Sequence, residues 1–376
     1  MASSGAAHRP GPGRNPDVLV VGAGVIGLAA ARELVRRGLS VRVVTRDAPG
    51  AGASAASAGM LEMHHPFPMP PALAAFCRMS GTMYPEWASG LRTETGVDPG
   101  RDECGTVALA RDAAELKDLE AQAAAFPETR LMSRAEEWRA LEPKLPGSLA
   151  GALWLPDDHH LDPRRLCEAL LVSLERSGAE VVRGATVRSL MVRDGRVEGA
   201  ETDAGQMRAG TTVLAAGAWT GGIAGLPEPI PVRPRKGQLL VLAMPDPPRR
   251  VLLAGGIYFV PRPLDGRLLL GATMEDVGFD VTPTAGAVAD LLGGGTPVFP
   301  PLAGARFVEV RVGLRPGAAD DLPVIGRSRL PGLVYAAGHF RKGILLAPGT
   351  ARLVGSLVAG ETPAHPLEPF APGRWR

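Results

Sequence analysis

The sequence predicts an α/β protein: a parallel domain of the nucleotide-binding kind, interrupted by an inserted α+β domain that carries an antiparallel sheet. Three observations carry this. A βαβ pattern with a glycine-rich turn opens the chain, and strand and helix signals of the same kind close it, at 333–337 and 343–358. Between them lie short β-type runs bounded by Pro, Gly and Asp-Gly turns.

Composition fits that class. The 376 residues are 45% apolar and 21% charged, the balance of a packed globular chain of two to three domain equivalents. Gly (48) and Pro (36) are abundant but follow no G-X-Y period, which excludes collagen. A net charge of +2 gives no field that argues for nucleic acid or an anionic membrane. Cys77, Cys104 and Cys167 are scattered and form no CxxC, so neither a disulfide scaffold nor a cysteine-built zinc site is expected, and a reducing cytoplasm is the plain reading. No run of eighteen apolar residues is present, so no membrane span is expected. Residues 1–16 lack a signal-peptide core and read as a disordered leader, and the Pro-rich tail at 363–376 reads as flexible.

In order along the chain, 17–21 (DVLVV) is a continuous apolar, β-branched run, as a buried parallel strand requires. Residues 28–37 read as a helix ended by Gly38, and 41–44 as a second strand. A loop of small residues spans 50–62, long enough to be functional. Residues 70–150 are mostly helical in composition, with helices over 111–125 and 133–142. A helix at 163–177, a strand at 180–182, a hairpin turning at Asp194-Gly195 and a strand at 212–216 follow. A Pro-rich crossing at 227–237 reads as a domain boundary. Strands at 238–242, 257–261, 268–272 and 307–312 complete the inserted sheet. The expected division is 17–80, 150–227 and 308–362 for the nucleotide domain, with 81–149 and 228–307 for the substrate domain.

Gly22, Gly24 and Gly27 form GxGxxG between a strand and a helix. The first allows the tight turn, the second lets backbone approach a pyrophosphate, and the third lets the helix pack on the sheet, which makes the domain Rossmann-like. The helix N-terminus, at Val25 and Ile26, then faces the phosphates. The second strand departs from the fingerprint: its end carries Thr45 and Arg46, with Asp47 two residues late, where an acidic residue normally holds the adenosine ribose. Asp47 or Thr45 would have to substitute. An Arg here also fits a 2′-phosphate, hence NADP, but nothing else in the chain uses a nicotinamide.

The motifs GAGVIGLAAARELVRRG from Gly22, ASAGML at 56–61, GATM at 271–274, GLRP at 313–316 and GHFRKGILLAP at 338–348 together resemble the D-amino-acid-oxidase superfamily of flavoproteins, over roughly residues 17–360. The likeness is greatest to its glycine-oxidising branch, which serves thiazole formation for thiamine. It implies a Rossmann-like FAD-binding domain with non-covalent FAD. No cysteine follows Cys167, so the cysteine attachment of the sarcosine-oxidase branch is absent. It also implies that the flavin lies against the small-residue loop (Ser54, Ser57, Ala58, Gly59, Met60) and against Gly338, His339, Phe340, Arg341, Lys342, Gly343 and Ile344. Val187 would lie on the adenine side, and Gly217 would complete the cofactor set. The implied activity is oxidative deamination of glycine, or of sarcosine or D-alanine, with oxygen as partner; a homo-oligomer is also expected.

The chemistry asks the protein to bind a carboxylate and aim an α-carbon at the flavin. A guanidinium suits the carboxylate, and the resemblance gives that role to Arg315, which Pro316 holds extended. Without the resemblance, Arg315 would be one surface arginine among 37. Tyr258 is a second carboxylate ligand by its hydroxyl, or half-buried strand packing. A turn at Asp265-Gly266 puts Tyr258 opposite Met274 within about one residue, and the two would wall a small pocket. Arg341 stands by analogy near the substrate amine and the pocket mouth. His339 reads as backbone positioning rather than as a base, because hydride transfer needs none.

Other signals are discounted. Asp157-Asp158-His159-His160 and His64-His65 are neighbours on loops and do not make a metal site, so no metal is expected. Asp320-Asp321 reads as a solvated turn, and the Gly-x-Ser strings do not make a hydrolase elbow. The alternatives are a D-amino-acid oxidase or dehydrogenase of wider range and, from another class, an inert flavin-binding protein. Only Thr45 favours the latter.

Overall fold

A computed structural model describes residues 15–64 and 69–375. Most of the leader read at 1–16, and His65, therefore lie outside the described residues. The chain opens with β1 (Val18–Val21), α1 (Val25–Arg36) and β2 (Val41–Thr45). These build a six-stranded sheet in the order Val324–Arg327, Leu333–Ala337, Thr211–Leu214, β1, β2, Glu180–Arg183; only its first strand runs antiparallel. Side chains of β1 alternate between two cores. Val18 and Val20 meet α1 and the helices Pro163–Arg176 and Gly343–Ala359, while Leu19 and Val21 meet a three-stranded sheet, 187–208, on the other face. Burial on both faces is why this strand reads as an unbroken apolar run.

The second sheet has eight strands, in the order Arg306–Gly317, Arg233–Ala243, Arg267–Gly271, Ile257–Arg262, Val251–Ala254, Thr106–Ala110, Gly151–Leu155, Arg130–Met132. Every pairing is antiparallel except Val251–Ala254 with Thr106–Ala110.

Several expectations need correction. The 70–150 stretch holds two strands, Thr106–Ala110 and Arg130–Met132, besides its helices, because pairing in this sheet overrides the helical leaning of alanine- and leucine-rich runs such as Thr106–Ala110, which is buried throughout. The helix Tyr84–Thr95 packs by Tyr84 and Leu91 into the nucleotide-domain core, whereas Gly151–Leu155 and the long strand Arg306–Gly317 lie in the second sheet. The sheets thus cut the chain elsewhere than the expected boundaries. Tyr258 stands opposite Gly271, not Met274. The connection is longer than an Asp-Gly turn: a helical turn, Pro263–Asp265, precedes Gly266, and Arg262 pairs with Arg267. The tail is packed rather than frayed. Phe370 is fully buried, 5.5 Å from the Phe76 ring, and Arg374 pairs with Asp320 at 2.7 Å.

Candidate active site

One cavity of about 870 Å3 lies between the two sheets, lined by residues of both. That volume is near the top of the range for small-molecule sites, roughly 300–1,000 Å3, so the cavity can take more than a single small metabolite.

Its floor is the glycine turn. Gly22 has φ +104° and donates to Val44 O at 2.8 Å; a Cβ there would lie 2.4 Å from Ala215 O. A Cβ on Gly27 would lie 1.8 Å from Gly22 O, so this glycine sits under the turn and lets α1 approach it. Gly22, Gly24, Val25 and Ile26 line the cavity and turn the positive end of α1 toward it. Ser54 Oγ accepts from Val25 N at 3.0 Å, which ties the small-residue loop to the helix start. Thr45, Arg46, Asp47 and Val187 line one end. Thr45 donates its hydroxyl to Asp47 O at 3.1 Å, and Arg46 pairs with Asp47 at 2.7 Å. The Arg46 guanidinium lies 4.2 Å from the Trp219 ring, which stacks in turn on Phe279 at 5.5 Å.

Ser57, Ala58, Gly59 and Met60 form the middle of the wall, with Gly217, His339, Phe340, Arg341, Lys342, Gly343 and Ile344. Gly59 needs its glycine: φ is +74° and a Cβ would meet Leu161 O at 2.1 Å. Phe340 has φ +46°, an uncommon backbone state for a bulky residue, at the entry to the Gly343–Ala359 helix. His339 is buried and shares a 2.9 Å hydrogen bond with Thr350; burial pushes its imidazole down to about 3, so it is neutral and no proton acceptor for the cavity at ordinary pH. Gly338, like Gly27, supports the wall without lining it.

Arg315, Tyr258 and Met274 line a further part of the cavity wall. Arg315 Nη1 donates to Thr273 O at 3.0 Å and lies 3.8 Å from Met274 Sδ. It makes no ion pair with any of the described residues. A Cβ on Gly237 would lie 2.1 Å from that guanidinium, and one on Gly271 would lie 2.6 Å from the Tyr258 ring, so two glycines make room for the two side chains. Burial raises the Tyr258 hydroxyl against the pull of Arg315, which keeps it a protonated donor.

Sequence reasoning missed several residues. Glu62 lines the cavity and pairs with Lys342 at 2.7 Å. Buried Arg262 donates to Ala58 O at 2.6 Å and Leu161 O at 2.9 Å, pinning the small-residue loop from the second sheet. No local signal marks it. Gly237, directly after a Pro-Arg-Lys run, could have been flagged. The histidine-acid run does not converge: Asp158 turns to His64 at 2.9 Å, and His160 to Arg262 at 2.8 Å. Asp102, Cys104 and His160 do approach one another within 4.8 Å. Arg262 can only donate to His160 Nδ1, so the proton of the neutral ring sits on Nε2, the atom a metal would need.

The fold and site define a class, the FAD-dependent oxidoreductases. The sequence profile of the FAD dependent oxidoreductase (DAO) family matches residues 17–357, and the chain belongs to that family. Among particular proteins, it is 37% identical to the glycine oxidase of Pseudomonas aeruginosa over 366 residues, 94% of this chain and 98% of that protein. It is 37% identical to the bifunctional ThiO/ThiG protein of Nostoc sp. over 93% of this chain, but spans only about half, 54%, of that protein. The crystal structure of glycine oxidase from Geobacillus kaustophilus superposes with a TM-score of 0.92 at 33% identity, covering 96% of this chain and 99% of that one.

The residues present suit FAD. The Gly22 cradle would be closed by any Cβ, the α1 N-terminus faces the same space, and the cavity runs on past Ala58 and Ile344 to Arg315.

Proposed function

We propose that the chain catalyses FAD-dependent oxidation of glycine, and of small amines such as sarcosine or D-alanine, to the imine, which water hydrolyses to glyoxylate and ammonia (methylamine from sarcosine, pyruvate from D-alanine). Oxygen is the final acceptor and leaves as H2O2. Supply of the imine to thiamine thiazole synthesis is part of the reading, supported by the ThiO/ThiG relatives. Bound FAD supplies a two-electron acceptor that takes the α-hydrogen as hydride.

The protein's residues do the positioning. Val25, Ile26 and the glycine turn would hold the pyrophosphate of FAD, Thr45, Arg46 and Val187 its adenosine, and the loops 54–60 and 338–344 its ring system. Arg315 grips the carboxylate with two parallel hydrogen bonds, and Tyr258 adds a third from its hydroxyl. Met274 limits room at the α-carbon, and Arg341 closes the mouth. His339, neutral and bonded to Thr350, takes no proton from the amine. No cysteine lines the cavity, which supports non-covalent FAD, and all three thiols are free and buried, which fits a reducing compartment.

One observation carries the reading: a guanidinium with no acidic partner among the described residues points into the cavity that the glycine turn opens. Flavin absorbance of purified protein and peroxide release ranked over glycine, sarcosine, D-alanine and D-proline test it. The expected order favours the smallest substrates. A colourless protein that cannot be reconstituted, or one that prefers bulky D-amino acids, overturns it.

A further inference from the structure

We propose that Lys236 is a positioning residue: its buried ammonium holds segment 273–284 as a strap between Arg315 and the Phe279–Trp219 stack, so that a carboxylate bound at Arg315 slows release of the cofactor at the other end of the cavity. This rests on the reading of Arg315 as the carboxylate anchor and of the Arg46 end as the adenosine end.

The strap has little apolar packing to hold it. Apart from one bridge at Glu275 it forms no helix or strand, and every residue from 276 to 284 is exposed, Val277, Phe279 and Val281 among them. Such a segment opens easily unless polar ties fix its path.

The ties converge on one cation. Lys236 is 1% exposed, and lysine is almost never buried without partners. Its ammonium donates to Thr282 O at 2.6 Å and to Asp280 Oδ2 at 3.1 Å, and lies 3.6 Å from Glu275 Oε2. Gln238, two residues on, donates to Glu275 Oε1 at 2.8 Å and accepts from Thr284 N at 2.9 Å. Both ends of the strap are therefore tied to strand Arg233–Ala243. An apolar residue at 236 would leave the Glu275 and Asp280 carboxylates without the charge they share.

The strap also touches both ends of the cavity. At its start, Thr273 O accepts from Arg315 Nη1 at 3.0 Å. Further on, Phe279, the residue before Asp280, stacks on Trp219 at 5.5 Å, and Trp219 carries Arg46 on its ring. Phe279, Trp219, Arg46 and Arg315 all line the cavity. A guanidinium has five N–H donors, so a carboxylate can take a fork of two while Nη1 keeps its bond to Thr273 O. Fixing Arg315 then fixes Thr273, and through the ammonium the order at 273 carries over to 280 and Phe279. The entropy lost in ordering the strap is shared by both ligands, which makes their binding mutually favourable without a second fold of the segment.

Release of FAD tests this apart from turnover. The fluorescence of free FAD gives the rate. Acetate, which has no amine to oxidise, occupies Arg315, and its binding is read from the visible spectrum of the flavin-loaded protein. Saturating acetate should slow release about fivefold or more in the parent, and should slow amide exchange over 274–284. In Lys236→Met release should be faster throughout, and the acetate effect should fall below about twofold. A merely structural loss would speed release alike with and without acetate and leave that ratio unmoved. Should the buried change prevent folding, Asp280→Asn, at a half-exposed side chain, should lower the same ratio. Arg235→Gln, which breaks only the exposed pair with Asp276, should keep it. A parental ratio in Lys236→Met or Asp280→Asn, an equal loss in Arg235→Gln, or acetate that binds without slowing release and exchange overturns the strap while the anchor reading stands. Protein that takes up no FAD, or acetate that leaves the spectrum of the parent unchanged, removes both.

Discussion

Replacing Arg315 by alanine gives the most direct test of how the site works. The guanidinium is held by two backbone carbonyls, Thr273 O at 3.0 Å and Lys236 O at 3.5 Å, beside Met274 Sδ and the Tyr258 hydroxyl, so it forms no ion pair with an acid among the described residues and is available to a carboxylate. Removing one member of a buried, hydrogen-bonded charge pair costs ~3–5 kcal/mol. The side chain is half-buried and the cavity admits water, which favours the lower end of that range. At about 1.4 kcal/mol per tenfold, the expectation is a rise of about 10²-fold or more in the KM for glycine. Arg315→Lys keeps the charge but loses the fork, and should fall between parent and alanine. The fold should persist, because the vacated space borders Gly237 and open cavity, not core. Flavin content and melting temperature control for that, and glycine-driven flavin reduction in a stopped-flow instrument gives the affinity. Parental KM in flavin-replete Arg315→Ala would refute the carboxylate-anchor assignment.

Three further outcomes are expected. Gly27→Ala should give little flavin-loaded protein and a lower melting temperature, because its Cβ would lie 1.8 Å from Gly22 O and force α1 off the turn; parental flavin content speaks against this. Phe279→Ala should speed flavin release, followed by its fluorescence, because Phe279 reaches from the second sheet's connection to stack on Trp219, which carries Arg46 on its ring; an unchanged release rate would show that the stack holds nothing. On acidification, His339 should cost stability. Burial lowers its folded pKa to about 3, so below about 6.5 the unfolded chain takes up a proton that the folded one refuses, and stability falls by ~1.4 kcal/mol per pH unit down to that value. His160 acts in the same sense and His64, raised by Asp158 and Glu128, in the opposite one. His339→Gln should therefore flatten the slope of urea midpoint against pH between about 6.5 and 5, and an unaltered slope would contradict the assignment.

The nucleotide half is legible from its residues alone. A strand buried on both faces must be apolar throughout, Gly22 needs a positive φ, and a Cβ on Gly27 would strike Gly22 O, so 17–27 largely states its own structure locally. The Asp194-Gly195 hairpin is legible for the same reason, since both residues adopt positive φ. Most of the expected site residues line the cavity because they sit on short segments whose backbone alone places them. Long-range pairing was not legible. Thr106–Ala110 is a strand only because Val251–Ala254 and Gly151–Leu155 flank it, and Tyr258 faces Gly271 only because the turn at 263–266 is longer than its Asp-Gly signal. Arg262 reaches Ala58 across 204 positions, and Gly237 clears space for a side chain on the neighbouring strand. Side-chain chemistry and local turn geometry are written residue by residue; which distant residues share a wall depends on sheet register, and register is fixed by the packing of the whole core.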